Sequence, residues 1–297
     1  MTERVMAAVI QMTSTADVER NLASAESLVR RAASLGGLFV SLPENFAFLR
    51  SEGEPVVEAQ ALEGPWVRRM SGLARELGIT LLLGSLPEKV AGGLGDAEHP
   101  PVQGASAGSI PARANDSRVH NTSVLLGPDG ATIAVYRKIH LFDIDLPGME
   151  HLKESRAVRP GEQAVVAPAP FGPLGLTICY DLRFPELYRA LVRAGARVLA
   201  VPSAFTERTG KDHWEVLLRA RAVENLAYVV AAAQVGHHGR GRASHGHAMI
   251  VDPWGAVMAQ VPDGEGVAVA ELDFARQDRL RRELPALDHQ RPFRAGS

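Results

Sequence analysis

Cys179 is the only cysteine in the 297-residue chain. It stands in Leu174–Leu187, which reads LGLTICYDLRFPEL. A free thiol titrates at about 8.5, so a cysteine nucleophile at neutral pH needs a base or a cation beside it. Leu176, Thr177 and Ile178 read as a short buried strand leading into the cysteine. Pro185 falls where a helix can start, and Glu186 to Leu191 continue with helical character. The thiol is therefore expected at a strand end beside a helix N-terminus. Unpaired N–H groups there favour a thiolate and any oxyanion formed next to it. A nucleophile elbow has this geometry, although its Gly-x-Ser-x-Gly spacing is absent. A lone cysteine is more often a buried small hydrophobe. Asp181 and Arg183 are unusual company for an inert core thiol, and a nucleophile needs further groups that the rest of the chain must supply.

The elements that would position such groups follow a βα rhythm. Val5–Gln11 reads as a buried strand, and Val18–Ser34 has helical apolar spacing through Leu22, Ala25, Leu28, Val29 and Ala32. Leu38–Leu42 is a second strand and delivers Pro43-Glu44-Asn45-Phe46 at its C-terminal end. An acid there is placed like a site residue of an open α/β sheet, and equally like a solvated loop carboxylate. Glu63–Leu77 reads as a helix and Ile79–Ser85 as a strand. His120–Leu126 and Ala131–Arg137 form a hairpin through Gly127-Pro128-Asp129-Gly130. Lys138 follows that hairpin, at a strand end like Glu44 and Cys179. Val198–Val201 leads into Pro202-Ser203-Ala204-Phe205. A helix is expected from about Asp212 to Asn225, then strands at Tyr228–Ala233 and Ala248–Val251 around a basic loop, Gly236–His247. Val267–Leu272 and a charged helix at Phe274–Glu283 close the pattern. Residues 90–117 are rich in Gly, Ala, Ser and Pro without apolar period and read as a flexible insertion.

Composition limits the function classes. Lys plus Arg number 32 and Asp plus Glu 34, a net charge of −2. No global field favours nucleic acid or an anionic membrane. No apolar run reaches the roughly 18–20 residues of a membrane span. MTERVMAAVIQM is too short and too charged for a secretory signal. One cysteine leaves no internal disulfide and suits a reducing, cytoplasmic location. The basic loop, with His237, His238, Arg240, Arg242, His245 and His247, lacks carboxylates and matches no standard zinc spacing, so no metal is expected. It reads as a solvated loop or as an anion-binding rim.

Glu44, Lys138 and Cys179 together make an acid, a cation and a thiol. PENF around Glu44, YRKIHLFD around Lys138 and CYDLRFPEL around Cys179 resemble the three signature segments of the nitrilase (carbon–nitrogen hydrolase) superfamily. The resemblance runs from Val5 to about Asp288. It includes PSAF at Pro202–Phe205, HWEVLLRARAVEN at His213–Asn225 and HAMIVDPWG at His247–Gly255. It implies one domain over 1–297, with the insertion at 90–117, folded as a four-layer α-β-β-α sandwich.

The resemblance also implies roles. Glu44 would be the general base, Cys179 the nucleophile that forms a thioester, and Lys138 with the Tyr180 backbone N–H the oxyanion donors. Glu154 matches a second family glutamate, and two carboxylates in one pocket would raise each other's pKa. No cofactor is implied. CYD after the strand resembles the branch of deaminated-glutathione amidases and ω-amidases. Ala231–Gly255 is most similar to the former, and Lys138–Gly148 is equally close to the latter. The expected substrate is a small carboxylate-bearing α-keto acid amide, bound by Phe205, Arg242 and Arg183, although Arg183 reads equally as a partner of Asp181. Metabolite repair and a symmetric homodimer or larger oligomer are the further expectations. A redox-sensing thiol protein is the competing class, but it has no resolving cysteine and no need for Glu44.

Overall fold

The Arg4–Met12 strand sorts its side chains by parity. Val5, Ala7 and Val9 join one apolar cluster, while Ala8, Ile10 and Met12 join another. Its neighbours repeat the split, with Phe39 against Val40 and Leu125 against Val124 and Leu126. Strand side chains alternate faces, so runs apolar at every position mark strands buried on both sides. This is why the sequence shows continuous apolar stretches rather than alternation.

The computed structural model describes residues 3–89, 118–145 and 152–294. The insertion assigned to 90–117 lies outside them. Among the described residues the first sheet runs in the order Arg242–His245, Ala233–Gly239, Arg4–Met12, Phe39–Ser41, Thr80–Glu88, Val119–Leu126, Thr132–Arg137. Gly266–Asp273 pairs antiparallel along Arg4–Gln11, and Val158–Arg159 pairs parallel with Val119–His120. The second sheet runs Val257–Gln260, Met249–Val251, Tyr228–Ala231, Val198–Ala200, Gly172–Leu176, Val165–Ala169. Helices α1 (Val18–Ser34) and α2 (Pro65–Leu77) cover the outer face of the first sheet through Leu22, Val29, Trp66 and Met70. Helices α3 (Pro185–Arg193) and α4 (Glu207–Asn225) cover the second through Leu187, Leu191, Trp214 and Leu218. The fold is a mixed α/β sandwich of two sheets flanked by helices, a single domain.

Three elements depart from the sequence reading. The segment read as the strand Tyr228–Ala233 divides: Tyr228–Ala231 pairs in the second sheet and Ala233–Gly239 in the first, so the chain crosses between layers at Ala232. The basic loop is a hairpin of that first sheet, with Gly239 and Gly241 at positive φ around Arg240. Its polar side chains carry no alternation, and pairing comes from the sheet edge. Helix α4 begins at Glu207, five residues before Asp212, because Gly210 lets it lie against the hairpin: a Cβ there would come within 2.3 Å of His245 Cβ. Tertiary packing overrides the poor helical propensity of this polar turn.

Candidate active site

The three sequence-predicted groups converge because each follows a strand of one of the facing sheets. Glu44 sits in a turn beyond Phe39–Ser41 that lies on Gly84, where a Cβ would be 2.0 Å from Leu42 O. Gln234 Nε2 donates to the Glu44 carbonyl at 2.9 Å, and the Asn45 N–H donates to Ser85 Oγ at 3.0 Å. Lys138 follows Thr132–Arg137; its N–H donates to Asn121 O at 2.9 Å and its carbonyl accepts from Gly161 N at 2.8 Å. Cys179 opens a 3₁₀ turn, Cys179–Arg183, with φ of 48°. A left-handed non-glycine residue costs about 1–3 kcal/mol and persists where the surroundings over-determine it.

Those surroundings centre on Asp181, which is fully buried. Its Oδ1 accepts from His140 N at 3.0 Å and His140 Nδ1 at 2.7 Å. Its Oδ2 accepts from the Tyr136 hydroxyl at 2.7 Å and Ile178 N at 2.9 Å. Asp181 thus staples the cysteine turn to the strand end that carries Lys138. The Cys179 N–H donates to Pro202 O at 3.0 Å, and Arg221 donates twice to Leu182 O at 3.0 and 2.7 Å. Tyr180 follows Cys179 in the first turn and lines the same cavity.

The side chains form one charged cluster. The Lys138 ammonium donates to Glu44 Oε1 at 3.0 Å and to both Glu154 oxygens at 3.1 and 2.9 Å. Asn121 Nδ2 bridges the same carboxylates, at 2.9 Å to Glu44 and 3.2 Å to Glu154. Ala204 N–H donates to Glu44 Oε2 at 2.8 Å, and Phe142 N–H to Glu154 Oε2 at 2.7 Å. Burial alone would raise the Glu44 pKa, but the Lys138 charge and hydrogen bonds from Lys138, Cys179 and Ala204 leave it below its ordinary value. Burial opposes the Lys138 charge, and Glu154 and Glu44 overcome it, so its pKa lies well above the usual one. Burial and the Glu44 charge push the Cys179 thiol well up, against Lys138. The resting site is therefore carboxylate, ammonium and neutral thiol. The sequence reading had the two carboxylates raising one another, and for Glu44 that is corrected: Lys138 stands between them.

Glu44, Lys138, Glu154, Cys179, Tyr180, Phe205 and Arg242 all line one cavity of ≈ 430 Å³. Arg183 does not. Its guanidinium lies 5.2 Å over the Phe205 ring and 3.3 Å from His213 Nδ1, and Asp181 is already saturated by other donors. Asn121 and Arg50 also line the cavity and were missed. Asn121 is inside a strand, where an amide carries no periodic signal. Arg50 follows Glu44 by six residues, in a loop whose fold depends on the distant hairpin. Among the described residues no cluster of three metal-ligating side chains occurs.

A buried carboxylate, a paired ammonium and a thiol on a tight turn, all facing one cavity, are groups of the kind that cysteine-based acyl transfer requires. Residues 6–282 match the carbon–nitrogen hydrolase family. The chain belongs to that family, and is a hydrolase of carbon–nitrogen bonds other than peptide bonds. It is 43% identical over 287 residues to a deaminated glutathione amidase of Synechocystis sp. (strain PCC 6803 / GT-S), covering 96% of this chain and 97% of that protein. It is 43% identical over 294 residues to the Homo sapiens deaminated glutathione amidase, covering 98% of this chain and 83% of that protein. The crystal structure of Saccharomyces cerevisiae Nit3, a member of branch 10 of the nitrilase superfamily, matches with a TM-score of 0.77 and 29% identity, covering 96% of each chain.

Proposed function

We propose that this chain is a deaminated glutathione amidase that works without a cofactor through a thioester on Cys179. The observation that carries the reading is the Lys138 ammonium held between Glu44 and Glu154 in the cavity that Cys179 lines. Glu44, ionised at neutral pH, takes the thiol proton as Sγ attacks the amide carbonyl. In the resting site the three N–H groups of Lys138 are spent on Glu44 and on both oxygens of Glu154; releasing one of the two Glu154 bonds frees a donor for the oxyanion, which the Tyr180 N–H joins. Glu44 returns the proton to the departing nitrogen, leaving a thioester. Water then attacks with Glu44 as base, and collapse expels the Cys179 sulfur, which recovers its proton. Glu154 acts by holding Lys138 rather than by carrying protons. The α-keto acid product of this bond cleavage is 2-oxoglutarate, and the leaving fragment is cysteinylglycine.

The cavity of ≈ 430 Å³ lies in the range that encloses drug-sized ligands, which favours this substrate over the smaller 2-oxoglutaramate. Phe205 supplies an apolar wall and Arg242 a cation for a substrate carboxylate. Helix α4 exposes Val216 and Val223, and Val223 lies against Gly255 next to exposed Trp254, an apolar surface suited to a symmetric homodimer. A thiol enzyme of this kind suits a reducing cytoplasm. The test is 2-oxoglutarate release from deaminated glutathione and from 2-oxoglutaramate, beside hydrolysis of a neutral aliphatic amide. Preference for deaminated glutathione is expected; equal turnover of the neutral amide sinks the reading.

A further inference from the structure

Two loops that both reach the cavity lining are tied together. Glu52 N–H donates to Arg240 O at 3.1 Å. Gly239 lies so close to the other loop that a Cβ on it would be 2.5 Å from Ser51 Oγ. This contact fixes the segment after Glu44 against the turn of the Ala233–Gly239 and Arg242–His245 hairpin. Each loop then contributes one guanidinium, Arg50 and Arg242, to the lining of the cavity that holds Cys179. Both are half-buried. Arg50 is further anchored by a hydrogen bond to the Glu54 carbonyl.

The juxtaposition is electrostatically unfavourable by itself. Burial and the neighbouring Arg242 charge draw the Arg50 pKa below its ordinary value, with Glu52, Glu154 and Glu54 opposing. Arginine does not lose its proton at physiological pH, so both charges remain. Arg208 and Lys153 add positive charge to the same lining, against Glu52 and Glu207 at its rim. Lys138 cancels only one of the Glu44 and Glu154 charges, and Glu154 reaches Arg50, yet the lining still holds five cations, Arg50, Lys138, Lys153, Arg208 and Arg242, against the four carboxylates Glu44, Glu52, Glu154 and Glu207. Paired guanidinium forks on a partly desolvated wall match the planar, two-oxygen geometry of a carboxylate.

We propose that Arg50 and Arg242 together form a seat for a substrate carboxylate and so select carboxylate-bearing amides. The assignment rests on the amidase reading for its substrate and adds Arg50 as a specificity residue. The seat is built by the loop-to-hairpin tie, so both arginines are needed and their effects are coupled. Deaminated glutathione offers two carboxylates, one on the α-keto acid and one on the glycine. The chemistry of the seat is the same for either.

The test compares kcat/KM for deaminated glutathione and for its two monomethyl esters in wild type, Arg50→Gln, Arg242→Gln and the double variant. Each single variant is expected to lose about 10- to 100-fold on the diacid, mostly through KM, the worth of a charge-assisted hydrogen bond. The double variant should lose less than the product of the single losses. On the ester that lacks the seated carboxylate, the variants should match wild type within about threefold. That ester identifies which carboxylate is held. Equal losses on all three substrates would show a structural role and overturn the seat, as would an unchanged diacid rate.

A second readout does not depend on turnover. The rate of Cys179 alkylation by iodoacetamide is measured with 2-oxoglutarate or alanylglycine, which offers the glycine carboxylate without a competing thiol, as protectant. Protection of wild type by one of them, lost in the double variant, supports the seat even if deaminated glutathione is not hydrolysed. In that case the amidase reading alone fails. No protection of wild type, or equal protection of wild type and double variant, overturns the seat.

Discussion

Replacing Lys138 by Met removes the charge between Glu44 and Glu154 while keeping most of the side-chain volume, and its effects on stability and on pH should be linked. Glu44 would retain Asn121 and Ala204 as donors but lose its cation. Glu154 would lose bonds of 2.9 and 3.1 Å. Removing one partner of a buried ion pair costs about 3–5 kcal/mol. The Glu154 side chain keeps 17% exposure, which places the cost at the lower end. At about 2–4 °C per kcal/mol for a large domain, Tm should fall by roughly 10 °C at neutral pH. The folded Glu44 pKa lies below its ordinary value, so its pairing stabilises above the ordinary carboxylate range and is lost as pH falls through the folded value. The gap between wild type and variant should therefore be full at neutral pH and narrow in acid. In the variant burial is unopposed by a cation, so Glu44 should titrate above its ordinary value and the acid limb of kcat/KM should move to higher pH. Thermal melts and rates from about pH 4 to about pH 8 measure both. A pH-independent Tm gap, or an acid limb that stays in place, would mean that Lys138 does not hold Glu44 ionised.

Other outcomes follow from the same geometry. The rate of Cys179 alkylation by iodoacetamide should show no step near the ordinary thiol pKa, because burial and Glu44 hold the thiol protonated; a full step there would mean a preformed thiolate. Asp181→Asn puts an amide against donors from Tyr136, His140 and Ile178, and should cost about 2–5 kcal/mol in urea unfolding with loss of activity. An unchanged midpoint would count against the staple. Light scattering at micromolar protein should give a dimer or larger symmetric assembly, and Val223→Glu on exposed α4 should weaken it; a monomeric wild type contradicts the proposed interface.

Helix α1 was legible in the sequence to the residue, because it buries one stripe and follows an aspartate cap, and the charged terminal helix, read near Phe274–Glu283, is α5 (Phe274–Glu283). The strand-end positions of Glu44, Lys138 and Cys179 were legible because each follows a segment with a strand pattern. The Asn121 bridge and the Asp181 staple were not, since a buried amide and a carboxylate reveal their partners only when strands far apart in the chain meet. The hairpin under Arg242 was hidden for a related reason. Its strands are polar, and their pairing is supplied by the edge of a sheet begun at Arg4–Met12. The raised pKa expected of paired carboxylates failed for Glu44 because the sequence does not reveal that one ammonium bonds both of them at once.

The central claim is a covalent acyl group on Cys179, with Glu44 as its proton carrier. Intact-protein mass spectrometry after a brief reaction with deaminated glutathione tests it directly. Wild type should gain the mass of the five-carbon α-keto acyl fragment, Glu44→Gln should show slowed formation and decay, and Cys179→Ala should gain nothing and release no 2-oxoglutarate. If Cys179→Ala releases 2-oxoglutarate at the wild-type rate, the account is contradicted.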